Sequence, residues 1–313
     1  MITTILIYLW IYAGVLVFVL GTLRRAVQYA HAPDHLRWEL YPVPHEEASR
    51  VVHGGSYFET GDWWTKPRHF HLWGEVKAMV SEMLFLKGLW EFNRGLWICS
   101  FPFHWGLYLL IGTIGLLVVQ VDVAIFLPGV GAGEVGEALV LLHRVTGWLG
   151  VGGVIAGALA LLARRLTDKR LRPYTVPGDI FNLLFFIFTF GMLAAAYWTS
   201  GGAFPGALAF TRGLLTFDVQ VRLPSSLIVG LVPGAALAAY IPFTHMSHFV
   251  AKYFAYHAVR WDDTASARSP ELQRRMAEYL TFRPTWAAPH IGGDGVKTWA
   301  DIVARNPAQG AKK

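Results

Sequence analysis

Five long apolar segments constrain the fold of this chain more than any other feature. A transmembrane helix needs about 20 apolar residues at 1.5 Å rise per residue. Segments of that length occur near residues 3–22, 99–120, 138–163, 180–199 and 223–246. Only 15% of the residues are charged, whereas soluble domains average about 25%. The sequence therefore predicts an all-α, polytopic membrane protein with five transmembrane helices in a lipid bilayer.

The basic residues predict how these helices are oriented. Lys and Arg number 9 in residues 23–98, 5 in 164–179 and 10 in 247–313, against 0 in 121–137 and 2 in 200–222. Because cytoplasmic loops carry the excess of Lys and Arg, we expect the N-terminus outside and the C-terminus in the cytoplasm. The expected location is a bacterial or archaeal cytoplasmic membrane. The concentration of Lys and Arg in the cytoplasmic loops accounts for the net charge of +6, so no nucleic-acid partner is expected.

The hydropathy pattern also predicts a division of the chain. The first segment lacks a basic n-region and a small-residue cleavage site, so we interpret it as a retained span rather than a cleaved signal. The expected regions are a first transmembrane helix at 1–22, a cytoplasmic loop at 23–98, a four-helix membrane domain at 99–250 and a cytoplasmic tail at 251–313. The loop and the tail are each too polar to bury a core alone, which suggests a docking platform for a soluble subunit.

Each cytoplasmic region contains one helical pattern. From Leu72 to Trp97 apolar residues recur at helical spacing, which predicts an amphipathic helix at the membrane interface. A plain surface helix leading into the second span is the alternative to a docking element. In the tail, the stretch SPELQRRMAEYL predicts a short helix capped by Ser269, with Glu271 in its first turn.

Histidines carry the functional signal. Four of the twelve lie within or at the end of a predicted span, and ionisable residues there are costly and usually functional. These four are His104, His143, His245 and His248. The other eight fall in the cytoplasmic regions, where most are expected to be ordinary surface residues: His31, His35, His45, His53, His69, His71, His257 and His290.

Depth in the membrane predicts which of the four can meet. His104 lies early in the second span, which runs outward, and His245 and His248 lie at the end of the fifth, which runs inward. Facing imidazoles at matched depth are what the iron of haem b requires, so His104 can pair with either. The alternative is that all three cap helices or reach toward lipid headgroups. The single cysteine, Cys99, excludes a disulfide, a four-cysteine iron–sulfur cluster and c-type haem within this chain.

Glycines in the second and third spans add weaker support for a bound flat ligand, since they leave room beside the helix. Ordinary helix packing uses small residues in the same way. The glycines concerned are Gly106, Gly112, Gly115, Gly147, Gly150, Gly152 and Gly153.

His143 lies near the predicted outer face, where no second histidine shares its depth. It could hold a second haem with a non-histidine partner such as Met192, or hydrogen-bond a quinone carbonyl. The alternative is an interfacial residue that faces headgroups. Its neighbour Arg144 could pair with haem propionates or with a quinone oxygen.

Three motifs resemble a known family. FHWGLYLLIG around His104, GDIFNLLFF in the fourth span and PFTHMSH at the end of the fifth resemble the membrane cytochrome b (gamma) subunit of respiratory nitrate reductase. The resemblance covers about residues 1–255, with the first cytoplasmic loop as an insertion. The stretch PFTHMSHFVAKYFAYHAVRWDD is more similar to the branch in the sulfite-reduction-associated electron transport complex, whose soluble partner resembles heterodisulfide reductase.

The resemblance implies roles for individual residues. It makes His104 and His248 the axial ligands of the haem nearest the cytoplasm, and it gives His245 a contact with a propionate. The family's second haem would use the positions of Ile114 and Gly230, and neither residue can bind iron. The distal haem is therefore expected to be missing or held in another way, with His143 as the leading candidate.

These inferences predict an electron-transfer subunit of an oxidoreductase complex. It would exchange electrons between menaquinone, or another quinone, and a cytoplasmic iron–sulfur subunit, with further membrane or periplasmic redox subunits. One alternative is the gamma subunit of a nitrate-reductase-type molybdoenzyme. Others are a proton-coupled transporter, disfavoured because no Asp or Glu lies inside a predicted span, and a membrane anchor without haem.

Overall fold

The structure, a computed structural model, describes residues 1–32, 42–53, 55–67, 70–199, 205–288 and 291–304. The helices are α1 (Ile2–Ala30), α2 (Ala48–His53), α3 (Leu72–Leu84), α4 (Lys87–Phe92), α5 (Arg94–Phe126), α6 (Pro128–Gly131), α7 (Glu134–Thr167), α8 (Pro177–Thr199), α9 (Pro205–Thr216), α10 (Ser225–Tyr240), α11 (His248–Phe254), α12 (Pro270–Leu280) and α13 (Trp299–Val303). Two short antiparallel strands, β1 (Ala287–Ala288) and β2 (Ile291–Gly292), form the sheet of the described part. The all-α prediction is confirmed.

Five of the described helices, α1, α5, α7, α8 and α10, are long and apolar enough to cross a membrane. They coincide with the five predicted segments, so the polytopic membrane architecture is confirmed. Several are longer than the apolar segments themselves. The 33 residues of α5 extend about 50 Å, more than the hydrocarbon core of about 30 Å, so its ends project beyond the apolar layer.

Residues 1–25 and 76–247 form one compact unit, the membrane unit. Within it α5 and α7 run antiparallel in close contact, because glycines let their backbones approach. A Cβ on Gly106 would lie 2.5 Å from the Val154 nitrogen, and one on Gly157 would lie 2.5 Å from the Phe103 nitrogen. Thr113 and Thr146 hydrogen-bond across the same pair of helices at 2.8 Å.

The other spans add to this pair by similar packing. Val154, Phe186 and Leu237 form a buried core shared by α7, α8 and α10. Gly230 of α10 lies against Leu193 of α8, and Gly14 of α1 lies against Ala235 of α10. The helices α5, α7, α8 and α10 thus alternate in direction, while α1 runs parallel to α10.

Helix α1 packs as an integral part of the membrane unit. The Thr4 hydroxyl donates to the Val221 carbonyl at 3.0 Å, and the Tyr8 hydroxyl donates to the Asp218 carbonyl at 3.2 Å. Tyr8 is fully buried beside Ile7 and Phe210. Retention of the first segment stays a prediction. The orientation of the termini across the membrane stays a prediction.

Residues 26–75 and 248–313 form the second compact unit, here called the polar unit. Its centre contains a buried histidine, His45, whose Nε2 lies 3.1 Å from Asp263 and whose Nδ1 lies 3.7 Å from Glu75. His257 Nε2 reaches the same Glu75 carboxylate at 3.4 Å. His45 is therefore not the ordinary surface residue expected of most cytoplasmic histidines. His35, His69, His290 and the side chain of His53 lie outside the described part.

The tail helix predicted from its cap is confirmed as α12. The Ser269 hydroxyl accepts from the Leu272 amide at 3.2 Å, and Glu271 stands in the first turn. The helical pattern predicted over Leu72–Trp97 is divided among α3, α4 and the start of α5, so a single continuous helix is wrong, while its place at the membrane interface stays a prediction. The chain breaks between α3 and α4 at Leu86, whose φ of 51° is left-handed, and again at Asn93, which caps α5.

Candidate functional site

His104 lies on α5, half-buried, with a defined ring orientation. Its Nδ1 lies 2.8 Å from the Ser100 carbonyl and 3.2 Å from the Ser100 hydroxyl. Because a carbonyl can only accept, this contact favours the tautomer with the proton on Nδ1 and the lone pair on Nε2. That tautomer suits a metal-ligating histidine, whose other nitrogen usually donates to a carbonyl or carboxylate.

The same backbone contact occurs elsewhere, so it is not by itself specific for iron. His31, His143 and His257 also place Nδ1 against the carbonyl four residues earlier, at 2.8, 3.2 and 2.8 Å. It is the usual way a helical side chain satisfies a local donor. His104 differs from the exposed His31 by its surroundings. Its ring meets Phe103 at 5.5 Å, and Phe103 meets the buried Phe186 at 5.0 Å.

The apolar pattern suggested that the fifth span is one continuous helix to its end, but the structure shows that it is not. Helix α10 ends at Tyr240, and the short 3-10 turns Ile241–Phe243 and His245–Ser247 follow. Pro242 lacks the amide proton that a longer α-helix would need. The positions of His245 and His248 therefore do not follow α-helical spacing from the rest of the span.

His245 and His248 fall in different surroundings. His245 is exposed, and its Nε2 lies 3.8 Å from the Asp179 carboxylate, which also accepts from Arg165 at 2.9 Å. His248 is exposed and begins α11 in the polar unit, whereas His104 and His245 belong to the membrane unit. The pairing of His104 with His248 and the propionate contact of His245 stay predictions.

His143 is buried in the membrane unit, with 6% of its surface exposed. This position disfavours the alternative in which it faces lipid headgroups. Arg144, the next residue, is exposed. Sequence reasoning had treated the two as neighbours at one site, but successive helical residues point about 100° apart.

Three buried polar residues were missed by sequence reasoning. Gln120, Asn182 and Thr189 are at most 7% exposed, and their side-chain oxygens find no hydrogen-bond partner among the described residues. Unpaired polar atoms in a membrane interior are costly and point to a function or a bound group. Gln120 interrupts the apolar run LLVVQV, a signal that was available in the sequence.

Gln120 and His143 lie at the same end of the bundle. The Thr113–Thr146 contact sets the register of α5 against α7. From that contact Gln120 lies 7 residues further along α5 and His143 lies 3 residues back along α7. Because the two helices are antiparallel, both steps lead toward the same end of the bundle. At 1.5 Å per residue their levels differ by about 6 Å along the bundle axis.

The glycines expected to leave room for a flat ligand divide into two groups. Gly106, Gly150 and Gly153 are filled by the facing helix, so the expectation is wrong for them, because close helix packing uses the space. A Cβ on Gly147 would touch the Thr113 side chain at 3.5 Å. Gly112, Gly115 and Gly152 have nothing within 4 Å of an added Cβ.

The two positions that the resemblance assigns to a second haem are unsuitable in structure as well as in chemistry. Ile114 is 63% exposed on the outside of α5. A Cβ on Gly230 would lie 2.5 Å from Leu193, so α8 already fills that place. No group of three or more His, Cys, Asp or Glu side chains within the described ranges is arranged to hold a bare metal ion.

Comparisons with known proteins identify the family. A family model described as the nitrate reductase gamma subunit matches residues 88–263, which is more than half of the chain and includes all four membrane histidines. The match begins after the first span, so it is shorter at that end than the resemblance inferred from motifs. No curated protein sequence and no solved structure matches the chain. The chain belongs to the nitrate reductase gamma subunit family, whose members are membrane cytochrome b subunits of redox complexes.

Proposed function

We propose that this chain carries electrons between a membrane quinone and a cytoplasmic iron–sulfur subunit, with His104 and His248 as the axial ligands of a haem b. The observation that carries the proposal is the family match over residues 88–263, which contains both histidines. The Ser100 carbonyl, 2.8 Å from His104 Nδ1, favours a lone pair on Nε2, as a ligating histidine needs. Haem b bound there supplies one-electron chemistry, which side chains alone lack.

The chain's own residues then position and tune that group. The proton that His104 donates to the Ser100 carbonyl orients the ring and increases the basicity of Nε2 as a ligand. Phe103 and Phe186 make the surroundings of His104 apolar, and burial of this kind shifts the redox potential of a haem. His245, beside Asp179 and Arg165, is proposed to contact a propionate.

A quinone site is proposed at the other end of the bundle, at His143 and Gln120. Both are buried polar residues on facing helices, and the Gln120 amide oxygen has no partner in the described part of the chain. The Nδ1 proton of His143 is held by the Leu139 carbonyl at 3.2 Å, which puts the ring's lone pair on Nε2. His143 can then accept a quinol proton, while the Gln120 amide oxygen accepts a hydrogen bond from a quinol hydroxyl.

The expected orientation puts this end of the bundle toward the outside. Protons from quinol oxidised there would leave outside while the electrons move inward, and quinone reduction would use the same residues in reverse. A second haem held by His143, with Met192 as the other ligand, is the alternative use of the site. Arg144 is proposed to pair with an anionic group at this level.

The partner is proposed to be a cytoplasmic iron–sulfur subunit similar to heterodisulfide reductase, in sulfur metabolism. The family implies partner redox subunits, and PFTHMSHFVAKYFAYHAVRWDD carries the resemblance to the sulfite-reduction-associated branch. The polar unit, residues 26–75 and 248–313, is the proposed docking surface. A nitrate-reductase-type molybdoenzyme is the alternative partner.

A dithionite-reduced minus oxidised absorption spectrum of the purified chain tests the haem. We expect the α band of haem b, its loss in His104→Ala and in His248→Ala, and its retention in the matched control His245→Ala. A chain without the band would be a haemless anchor or a transporter. A band that survives His248→Ala but not His245→Ala would reassign the second ligand. The pyridine haemochrome ratio distinguishes one haem per chain from two.

The quinone site is tested by the rate at which a menaquinol analogue reduces the haem. Gln120→Leu and His143→Leu are each expected to slow this rate by about tenfold or more, because one of two positioned polar contacts is lost. Gln220→Leu, at an exposed loop position, is the matched control. Equal rates in all three variants would show that the quinone does not bind at this site. Loss of a haem in His143→Leu would instead favour the alternative in which His143 holds a second haem.

A further inference from the structure

The C-terminal end of α3 is capped by aromatic side chains of α5. The Tyr108 hydroxyl donates to the Met83 carbonyl at 2.7 Å, and the indole nitrogen of Trp105 donates to the Leu84 carbonyl at 2.7 Å. The indole nitrogen of Trp97 donates to the Phe85 carbonyl at 2.9 Å. Three successive carbonyls at one helix end therefore each receive a side-chain donor.

Such capping is informative because helix ends leave their last carbonyls without intrahelical partners. At a protein surface water satisfies these groups, and no side chain is needed. In the hydrocarbon region of a bilayer no water is present, and each unsatisfied carbonyl costs several kcal/mol. Dedicated donors to three neighbouring carbonyls at an exposed helix end are what a lipid environment would require.

The chain around the capped end is apolar and uncovered within the membrane unit. Phe85 is 52% exposed and Phe92 is 87% exposed, and Met83, Leu84 and Trp90 are also exposed. Exposed contiguous apolar surface of this kind marks contact with another apolar phase. The chain reverses at Leu86, whose left-handed φ of 51° lets α4 run back toward the start of α5. Residues 76–93, here called the α3–α4 hairpin, turn at Met83–Leu86 between the two helices.

The hairpin packs against a run of aromatic side chains on α5. Phe85 lies 6.1 Å from Trp105, Trp90 lies 4.8 Å from Trp97, and Trp97 stacks on Phe101 at 4.4 Å. Trp97, Phe101 and Trp105 are four residues apart in sequence and so belong to one face of the membrane-spanning helix α5. Trp and Tyr concentrate at the level of the lipid headgroups, where an apolar ring and a polar donor are both satisfied.

Charged residues on the hairpin fit an interfacial depth. Lys87 pairs with Glu91 at 3.6 Å, and the Arg94 guanidinium lies 4.7 Å from the centre of the Trp90 ring. Long basic side chains can extend from such a position to the headgroup phosphates while their stems stay in the apolar layer.

We propose that the α3–α4 hairpin is embedded in the bilayer interface with its tip, Met83–Leu86, among the lipid acyl chains. The aromatic donors of α5 replace the water that the end of α3 gives up there. The occupant of the apolar surface is lipid rather than a second copy of the chain or a soluble partner. This proposal does not depend on the haem or on the quinone.

Spin labelling in proteoliposomes of phosphatidylethanolamine and phosphatidylglycerol tests the depth of the tip. In a Cys99→Ser background, nitroxides are attached to the variants Phe85→Cys, Ile114→Cys and Lys169→Cys. Ile114 is exposed in the middle of a span, and Lys169 is exposed in the connection after α7. The ratio of oxygen to water-soluble nickel accessibility at position 85 is expected to exceed that at position 169 several-fold and to lie below that at position 114, which is deeper in the bilayer.

Each other result for the position 85 label overturns the proposal. Nickel accessibility equal to that at position 169 would place the tip in water. Low accessibility to both oxygen and nickel would show that protein, such as a second copy of the chain, covers the tip.

The capping role has its own test, in variants that keep the ring and remove the donor. Tyr108→Phe and Trp105→Phe are each expected to speed amide hydrogen exchange in residues 83–92 by about 5- to 10-fold in proteoliposomes, because one hydrogen bond is lost without water to replace it. Tyr174→Phe, at an exposed position, is the matched control. Exchange no faster than in this control would show that the donors do not hold the helix end.

Discussion

At the scale of single residues, glycines determine how closely α5 and α7 approach, because a glycine has no side chain to hold the helices apart. Gly106, Gly153 and Gly157 each lie within van der Waals contact of backbone atoms on the facing helix. Without a hydrophobic drive between helices in lipid, such close packing is a main source of association. Sequence alone did not distinguish these glycines from Gly112, Gly115 and Gly152, since all are small residues in apolar runs.

Gly157→Ala is expected to destabilise the membrane unit by about 1–3 kcal/mol, since the new methyl group overlaps the Phe103 backbone and the helices must separate. Gly152→Ala, whose methyl group meets open space, is the matched control. The measurement is the unfolding midpoint in detergent. Equal midpoints for the two variants would contradict the close contact.

His45 is a residue whose importance depends on partners distant in the sequence. Its ring lies between Asp263 and Glu75, both buried in the polar unit. His45→Ala leaves these two carboxylates without the imidazole, so the free energy of unfolding of this unit is expected to fall by about 2–4 kcal/mol. His31→Ala, at an exposed position, is the control. A loss no larger than in His31→Ala would show that the buried imidazole contributes little.

At the scale of elements, local signals predicted some helix ends and failed for others. The cap at Ser269 uses residues within three positions of each other, so α12 was predicted correctly. The break at Leu86 was not, because no Gly or Pro marks it. The chain turns there because Trp97, Trp105 and Tyr108 satisfy the carbonyls that end α3.

Helix α12 also carries a pH-dependent contact. Arg274 and Arg275 hydrogen-bond the Glu271 carboxylate and lower its pKa from 4.5 to about 2. Because the pKa is lower in the folded chain, this contact contributes stability above about pH 4.5, and the contribution is lost as the pH falls toward 2. The carboxylate is fully exposed, so salt weakens the effect.

Amide exchange of residues 270–280, corrected for the intrinsic rate, measures this dependence. We expect protection of α12 to persist at pH 5 and to decrease toward pH 2.5, more steeply at low salt. In Glu271→Gln the pH dependence of this protection should be smaller, and the protection at pH 5 should be lower than in the wild type. A wild-type profile no steeper than that of Glu271→Gln would contradict the role of the carboxylate.

At the scale of the whole molecule, five apolar helices alternate in direction and define the membrane unit. Antiparallel contacts such as Gly106 with Gly153, and the parallel course of α1 beside α10, give this alternation without reference to a membrane. Which end faces the cytoplasm depends on the loops. Lys and Arg number 10 in residues 247–313 and 0 in 121–137.

Fusion reporters test the orientation of the whole molecule. A green fluorescent protein fused after Lys313 is expected to fluoresce, and alkaline phosphatase fused after Ala132 is expected to be active outside, because basic loops stay in the cytoplasm. The reciprocal fusions, phosphatase after Lys313 and fluorescent protein after Ala132, are the controls and should be inactive. The reverse pattern would invert the membrane topology and the direction of proton release.

The sequence by itself determined the five spans, the cap of α12 and the family, because length, hydropathy and short motifs are local properties of the chain. It also identified His104 as a candidate ligand, since a histidine within an apolar segment can be recognised from the sequence alone. The tertiary structure alone decided that His143 and Gln120 are buried at nearly the same level, which glycines are filled, and where α3 ends. Those features depend on contacts between helices, and such contacts join residues that lie far apart in the sequence.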